Sequence, residues 1–143
     1  MKRVYKKLSL SDLHLVLRME QDFRSGFICV DNARQFLSNP SNWLFACIED
    51  ERIIGFAYGY ELNRLNDIGN MLYIHEVGVL PEYQRQGIGR EMLTRMKELC
   101  TLSGICRFFL FSQKSNTAAC ALYESVGGEA SHEDDVAFFF QTK

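Results

Sequence analysis

The stretch EVGVLPEYQRQGIGREMLTRM, residues 76–96, constrains this chain more than any other. An apolar run from Val77 to Leu80 ends at Pro81, which suits a strand terminus. Two glycines, Gly87 and Gly89, then open a pattern that puts Met92, Leu93, Met96, Leu99 and Cys100 on one helical face. A strand must therefore hand the chain to a helix through Gln84-Arg85-Gln86-Gly87-Ile88-Gly89. The first four N–H groups of a helix have no partner within it and point outward at the positive end of its dipole. Glycines beside them remove side chains that would hold an anion away, and Gln84, Arg85 and Gln86 add donors. The arrangement suits a pyrophosphate lying across the start of the helix. Two better-known phosphate loops do not match. A P-loop needs Gly-Lys-Ser or Gly-Lys-Thr, whereas Gly89 precedes Arg90-Glu91, and the three glycines of a dinucleotide fingerprint are absent.

The chain has 143 residues, which fits one domain with a real hydrophobic core. The patterning predicts a strand over 2–8, then a helix capped by Ser9 or Ser11 and running to about Phe23. A short helix follows from Asp31 or Asn32 and ends before Pro40. Strands are expected at 43–48 and 52–60, a polar loop over 61–70, and a strand at 71–80. After the helix over 87–102 come an apolar strand at 106–112 and a helix over 116–126 that stops at Gly127-Gly128. The run DVAFFFQ reads as a final strand, with a further short strand near 129–131 as an option. Three adjacent strands imply antiparallel hairpins, and the later strand-helix-strand unit implies a parallel pair. The predicted fold is α/β: a mixed, mostly antiparallel sheet of six to seven strands flanked by about four helices.

Bulk properties exclude several classes. A net charge of −2 gives no support for a nucleic-acid binder. The five cysteines form no Cys-x-x-Cys pair, so free thiols in a reducing compartment are expected, with neither a disulfide framework nor a metal site. No apolar h-region follows the basic MKRVYKK start, and no run approaches the ~18 apolar residues of a membrane span. A cytoplasmic protein without a membrane partner is the expectation.

The run V-x-V-x-P-x-Y-Q-R-Q-G-I-G, with Val77, Val79, Pro81 and Tyr83 ahead of residues 84–89, is similar to the central motif of the GCN5-related N-acetyltransferase (GNAT) family. A second segment, NTAACALYESVGG, resembles that family's later motif through Asn116, Ala119, Leu122, Tyr123 and Gly127. The resemblance spans most of the chain and implies acetyl-CoA as cosubstrate. It implies that Gln84, Arg85, Gln86, Gly87, Ile88, Gly89 and Arg90 hold the pyrophosphate. The backbone of Val77, Gly78 and Val79 would accompany the pantetheine arm between splayed strands. Tyr123 would be the general acid that protonates the leaving thiolate, with Asn116 and Ala119 near the cofactor; Asn116 is also a good helix cap. Gly128 stands where the family has an aromatic or aliphatic residue.

An acceptor amine is mostly protonated at neutral pH, and Glu76, just before Val77, is placed to take its proton or to hold the cation. His75 is the runner-up, facing away from Glu76 in a regular strand unless a bulge intervenes. Within the family the chain resembles the aminoglycoside 3-N-acetyltransferase group, where acidic residues grip a polycationic sugar. That implies Glu76, Asp134 and Asp135 as acceptor contacts, with Glu61, Asp67 and Glu133 as weaker candidates. An ordinary solvated turn explains residues 133–135 equally well. A protein or peptide amine, or another small amine, is an alternative acceptor. A non-catalytic acyl-CoA-binding module would keep Gly87 and Gly89 without needing Glu76 or Tyr123. A homodimer is compatible with all of these readings.

Overall fold

Aromatic and β-branched residues crowd into 42–62 and 70–79, and these segments form the centre of a five-stranded sheet. The computed structural model describes residues 2–24, 29–66 and 68–143. Strands β1 (Val4–Lys7), β2 (Asn42–Glu49), β3 (Arg52–Leu62), β4 (Asn70–Val79) and β5 (Ile105–Phe109) lie in chain order. The first four pair antiparallel and β5 runs parallel to β4. The helices are α1 (Leu13–Arg24), α2 (Val30–Ser38), α3 (Ile88–Leu102) and α4 (Thr117–Ser125). Single 3₁₀ turns sit at Leu10–Asp12 and Pro81–Tyr83.

Both sheet faces are covered, because β2 and β3 carry apolar residues without interruption rather than in alternation. On one face Trp43, Phe45, Ile54, Leu72 and Ile74 pack against Ile88, Met92 and Met96 of α3. On the other, Leu44, Ala46, Ile53 and Phe56 pack against Leu15, Val16 and Met19 of α1. Each such side chain contributes about 1.5–3 kcal/mol by leaving water. Leu99, expected on the buried face of α3, is only partly buried there. The 3₁₀ turn before α1 is fixed by Ser9, whose N–H donates to Asp12 Oδ2 at 2.9 Å. Helix α4 closes when the N–H groups of Gly127 and Gly128 return to the carbonyls of Glu124 and Tyr123, at 3.0 and 2.9 Å.

The expectation of six to seven strands is corrected to five. Neither 129–131 nor DVAFFFQ joins the sheet. Phe138, Phe139 and Phe140 are 79%, 87% and 85% exposed. An apolar aromatic run states a capacity to pair; it does not place a neighbouring strand beside it.

Candidate active site

The sheet opens where β4 runs toward the glycine loop. Strand β3 accompanies β4 from Met71 to Val79, whereas β5 pairs only with Asn70, Met71, Leu72 and Tyr73. Residues 74–79 of β4 therefore have no β5 partner along one edge. Val77 and Val79 still pack toward the α3 core, so their side chains serve packing while their backbone edge lies open. A carbonyl along this path is already engaged: Gln84 Nε2 donates to Val79 O at 3.0 Å.

Beyond Val79 the chain turns through Pro81–Tyr83 into α3. Gly87 is the N-cap of α3 at φ +80°, a left-handed conformation that glycine adopts without a steric penalty. A β-carbon there would meet nothing within 4 Å, so the space in front of the helix is clear. Gly89 serves a different purpose, since a β-carbon on it would stand 3.0 Å from Leu122 Cδ2 of α4. Ile88 is buried and anchors the turn, while Gln84, Arg85, Gln86, Gly87 and Arg90 are exposed. Among the described residues, the N–H groups of residues 85–90 donate to no protein acceptor, and the first return bond is Glu91 N–H to Gly87 O at 3.0 Å. Neither Arg85 nor Arg90 has a carboxylate partner among the described residues. Unpartnered amides at a positive helix end, with two free guanidinium groups beside them, fit a diphosphate.

The candidate base sits on a bulge. Tyr58 of β3 pairs with Glu76 while the next residue, Gly59, pairs with Ile74, so His75 has no cross-strand partner. Gly59 permits this, because a β-carbon on it would lie 1.8 Å from the Tyr73 carbonyl oxygen. The extra residue shifts the alternation by one, so both His75 and Glu76 face the α1–α2 side of the sheet. The His75 ring lies 5.4 Å from that of Tyr58, and His75 Nδ1 is within hydrogen-bond range of the Tyr73 hydroxyl at 3.1 Å. Glu76 Oε1 accepts from Arg24 Nη2 at 2.6 Å. Arg24 Nε also meets Glu20 at 2.8 Å. The bond to Glu76 raises the Arg24 pKa, and burial raises that of the Tyr58 phenol, with the Glu76 charge adding to it. Beside this group, a cavity of about 620 Å³ opens between α1, α2 and the sheet, lined among others by Met19, Glu20, Arg24, Phe36, Tyr58 and Tyr60. That volume is in the range of small-molecule sites.

The sequence profile of the acetyltransferase (GNAT) family matches residues 9–128. The chain belongs to the GNAT acetyltransferase family. Acetyl-CoA is the cosubstrate of that family. The chain is 33% identical over 98 residues to the mycothiol acetyltransferase of Kocuria rhizophila, covering 67% of this chain and 32% of that protein. It is 41% identical over 54 residues to the ribosomal protein bS18-alanine N-acetyltransferase of Escherichia coli, covering 38% of this chain and 36% of that one. The match thus spans about a third of the length of these curated relatives. An aminoglycoside acetyltransferase from an uncultured soil metagenomic sample, solved with trehalose, superposes with a TM-score of 0.81 at 22% identity, over 99% of this chain and 97% of the other. That likeness is one of fold.

In this GNAT chain the remaining residues of interest come from α4 and the tail. Tyr123 is half-buried against the α3 core. Burial raises its pKa above the ordinary phenol value, so the hydroxyl stays protonated through the neutral range. Asn116 is the N-cap of α4, with Oδ1 accepting from Ala119 N–H at 3.1 Å, which is the capping role its sequence position also allowed. Asp134 and Asp135 are exposed in a turn closed by Asp135 N–H to His132 O, and Glu133 pairs with Lys114 at 3.3 Å. No hydrogen bond or ion pair joins Asp134 or Asp135 to Glu76 among the described residues. Glu61 is occupied by Trp43 Nε1 at 3.2 Å and Asn70 Nδ2 at 2.8 Å. Asp67 lies outside the described residues. Burial pushes the Cys100 thiol up to about 11 and raises that of Cys47, which disfavours either as a nucleophile.

Sequence reading missed Arg24, which reaches Glu76 across 52 positions with no local signal. It left the His75 bulge conditional. The available hint was Gly59 inside an otherwise aromatic strand, a common mark of close backbone approach.

Proposed function

We propose that the chain is an acetyl-CoA-dependent N-acetyltransferase acting on a primary amine by direct attack. The observation that carries this reading is the open β4 edge over 74–79 leading into the unpartnered amides of 85–90. Acetyl-CoA supplies an acetyl group activated as a thioester. The backbone of Val77, Gly78 and Val79 runs along the open edge and aligns the pantetheine arm. Residues 84–90, with Gly87 at their centre, receive the pyrophosphate. The acceptor enters from the α1–α2 side, where Glu76 takes the proton of its ammonium group and His75 stands beside it as a second base. Tyr123 gives its proton to the departing thiolate, a role supported by its protonated, half-buried phenol.

The acceptor class that fits the cavity is a small cationic ring compound, such as an aminoglycoside amine. Tyr58, Tyr60 and Phe36 provide ring faces and Glu20 provides charge in the cavity, while Glu76 lies beyond it, paired with the lining residue Arg24. The acceptor cation then competes with Arg24 for Glu76. The exposed Asp134 and Asp135 add long-range attraction for a polycation. The similarity to a ribosomal protein N-acetyltransferase favours a second reading, a peptide amine as acceptor by the same chemistry. A free-thiol release assay with acetyl-CoA across aminoglycosides, polyamines, amino acids and peptides decides between them. Turnover confined to aminoglycosides or polyamines is expected. Turnover with peptides alone selects the second reading, and no thiol release with any amine leaves an acyl-CoA-binding module.

A further inference from the structure

The phosphate loop holds an uncommon conformation at a charged residue. Arg85 sits at φ +64°, in the left-handed region that residues with a β-carbon seldom enter. Gly87 follows at φ +80°, so Gln86 lies between two left-handed positions. A conformation of this kind persists where surrounding contacts over-determine it. The side chains on either side of Arg85 make such contacts. Gln84 Nε2 donates to Val79 O at 3.0 Å, and Gln86 Oε1 accepts from Arg3 Nη2. Arg3 stands just before β1, 83 positions away in the sequence. Its guanidinium is itself anchored, since Arg3 Nε donates to Glu49 Oε1 at 3.1 Å. Glu49 ends β2 and is only 8% exposed. Among the described residues, Arg3 is the only side chain bonded to it. A buried carboxylate needs a partner, which fixes Arg3 in place. A second arginine reaches the loop less closely. Arg52, the register partner of Glu49, has Nη2 3.6 Å from Glu82 Oε1 and donates through Nε to Asp22 Oδ2 at 3.0 Å.

We propose that Arg3, anchored by Glu49, is a positioning residue for acetyl-CoA: through Gln86 it holds the 84–90 loop in its diphosphate-receiving shape. The proposal rests on the reading that this loop takes the diphosphate. Arginine suits the task because its rigid planar fork engages two acceptors at once. Here Nε takes the anchor and Nη2 takes the loop. With its side chain held by Arg3, Gln86 fixes the backbone between Arg85 and Gly87. A loop shaped before the ligand arrives does not draw on binding energy to order itself. Without the brace, part of the population leaves the competent shape, and apparent affinity falls by that fraction. The rival account is that Arg3 attracts the diphosphate by charge alone. The two accounts give opposite signs at Glu49. Loss of a nearby negative charge tightens anion binding if charge alone acts, and loss of the anchor weakens it if the brace acts.

Calorimetric titration of acetyl-CoA into the wild type, Arg3→Gln, Glu49→Met and the double variant tests the brace, with circular dichroism to check folding. Methionine is close to glutamate in volume and offers Arg3 no oxygen, so Glu49→Met removes the anchor and keeps the packing. Arg3→Gln and Glu49→Met are each expected to raise the acetyl-CoA Kd about 5–10-fold. The double variant is expected to lose no more than Arg3→Gln alone, because both residues act along one path. Wild-type affinity in either single variant overturns the proposal. So does tighter binding by Glu49→Met, or losses that add in the double variant. Should Arg3→Gln fail to fold, the sign of the change in Glu49→Met decides. Gly87→Val in the same titration separates the brace from the reading beneath it. Wild-type affinity there takes the diphosphate off the loop, and the brace with it. Lost binding there beside wild-type affinity in Arg3→Gln keeps the loop and overturns the brace alone.

Discussion

Among the described residues, every buried side chain lies between Leu8 and Ile105, and none lies in residues 106–143. The second region is not short of apolar residues; it holds Phe108, Phe109, Leu110, Phe111, Leu122, Tyr123, Val136 and three further phenylalanines. The difference is topological. In the first region the sheet is packed against α3 on one face and α1 on the other, so the apolar faces of β2 and β3 find a cover. In the second, β5 has a neighbour on one side and α4 buries no residue fully. Hydrophobic pattern sets what can be buried, and connectivity decides what is. The proposed reaction draws on both regions: Glu76, His75 and the phosphate loop come from the first, and the acid Tyr123 from the second. Damage to the packed faces of the first should therefore cost stability, whereas loss of an exposed apolar side chain in the second should cost little.

The largest effect is expected at Gly59. Gly59→Ala drives a β-carbon into the Tyr73 carbonyl and dismantles the bulge that aims His75 and Glu76. Loss of soluble folded protein, or destabilisation beyond about 4 kcal/mol in urea, is the expected outcome; a near-wild-type midpoint would break the account of the bulge. Next, Phe56→Ala should cost about 3–5 kcal/mol, because its ring is fully enclosed against Phe23 and the α1 core. Phe139→Ala should change single-chain stability by less than about 0.5 kcal/mol. Equal losses at the two positions would erase the contrast between the regions.

Chemistry sharpens the comparison further. Glu76→Gln should lower kcat/KM by about 10²-fold or more and flatten the acidic limb of its pH profile, because the amine then lacks its base. An unaltered limb would pass the role to His75. Tyr123→Phe should reduce turnover by a similar factor with acetyl-CoA affinity unchanged. The sign on the alkaline side follows from burial: a phenol raised above its ordinary value donates until pH passes that raised value, so the wild-type alkaline limb should lie above the ordinary phenol range and vanish in the variant. The smallest effect belongs to Arg24→Gln. Freed of its internal cation, Glu76 should bind the acceptor better, lowering the acceptor KM a few-fold. A raised KM would make Arg24 a positioning group for Glu76 instead of a competitor.

The helices are legible in the sequence because their signals are local. Gly87 before an amphipathic run, Pro81 after an apolar one, and Asn116 before a helical stretch each act within a few residues. The four helices and the turn that opens α3 can be read from such neighbours. What stayed illegible depends on distant partners. The bulge arises between Gly59 and His75 on separate strands, and Arg24 meets Glu76 from the far end of α1. The missing final strand has the same origin: DVAFFFQ has the composition of a strand, but composition carries no address for the edge it joins. The sequence suggests clearance for a phosphate at Gly89 and gives no sign that a β-carbon there would meet Leu122 of α4.

The most direct test is calorimetric titration of acetyl-CoA into the wild-type chain and Gly87→Val. A β-carbon at the N-cap of α3 meets no protein atom within 4 Å, so Gly87→Val puts its side chain into the open space before the free amides, at a strain of about 1–2 kcal/mol from its positive φ. The expected result is saturable binding to the wild type and none to the variant, with the same circular dichroism spectrum for both. An unchanged affinity in Gly87→Val would contradict the placement of the pyrophosphate at this loop.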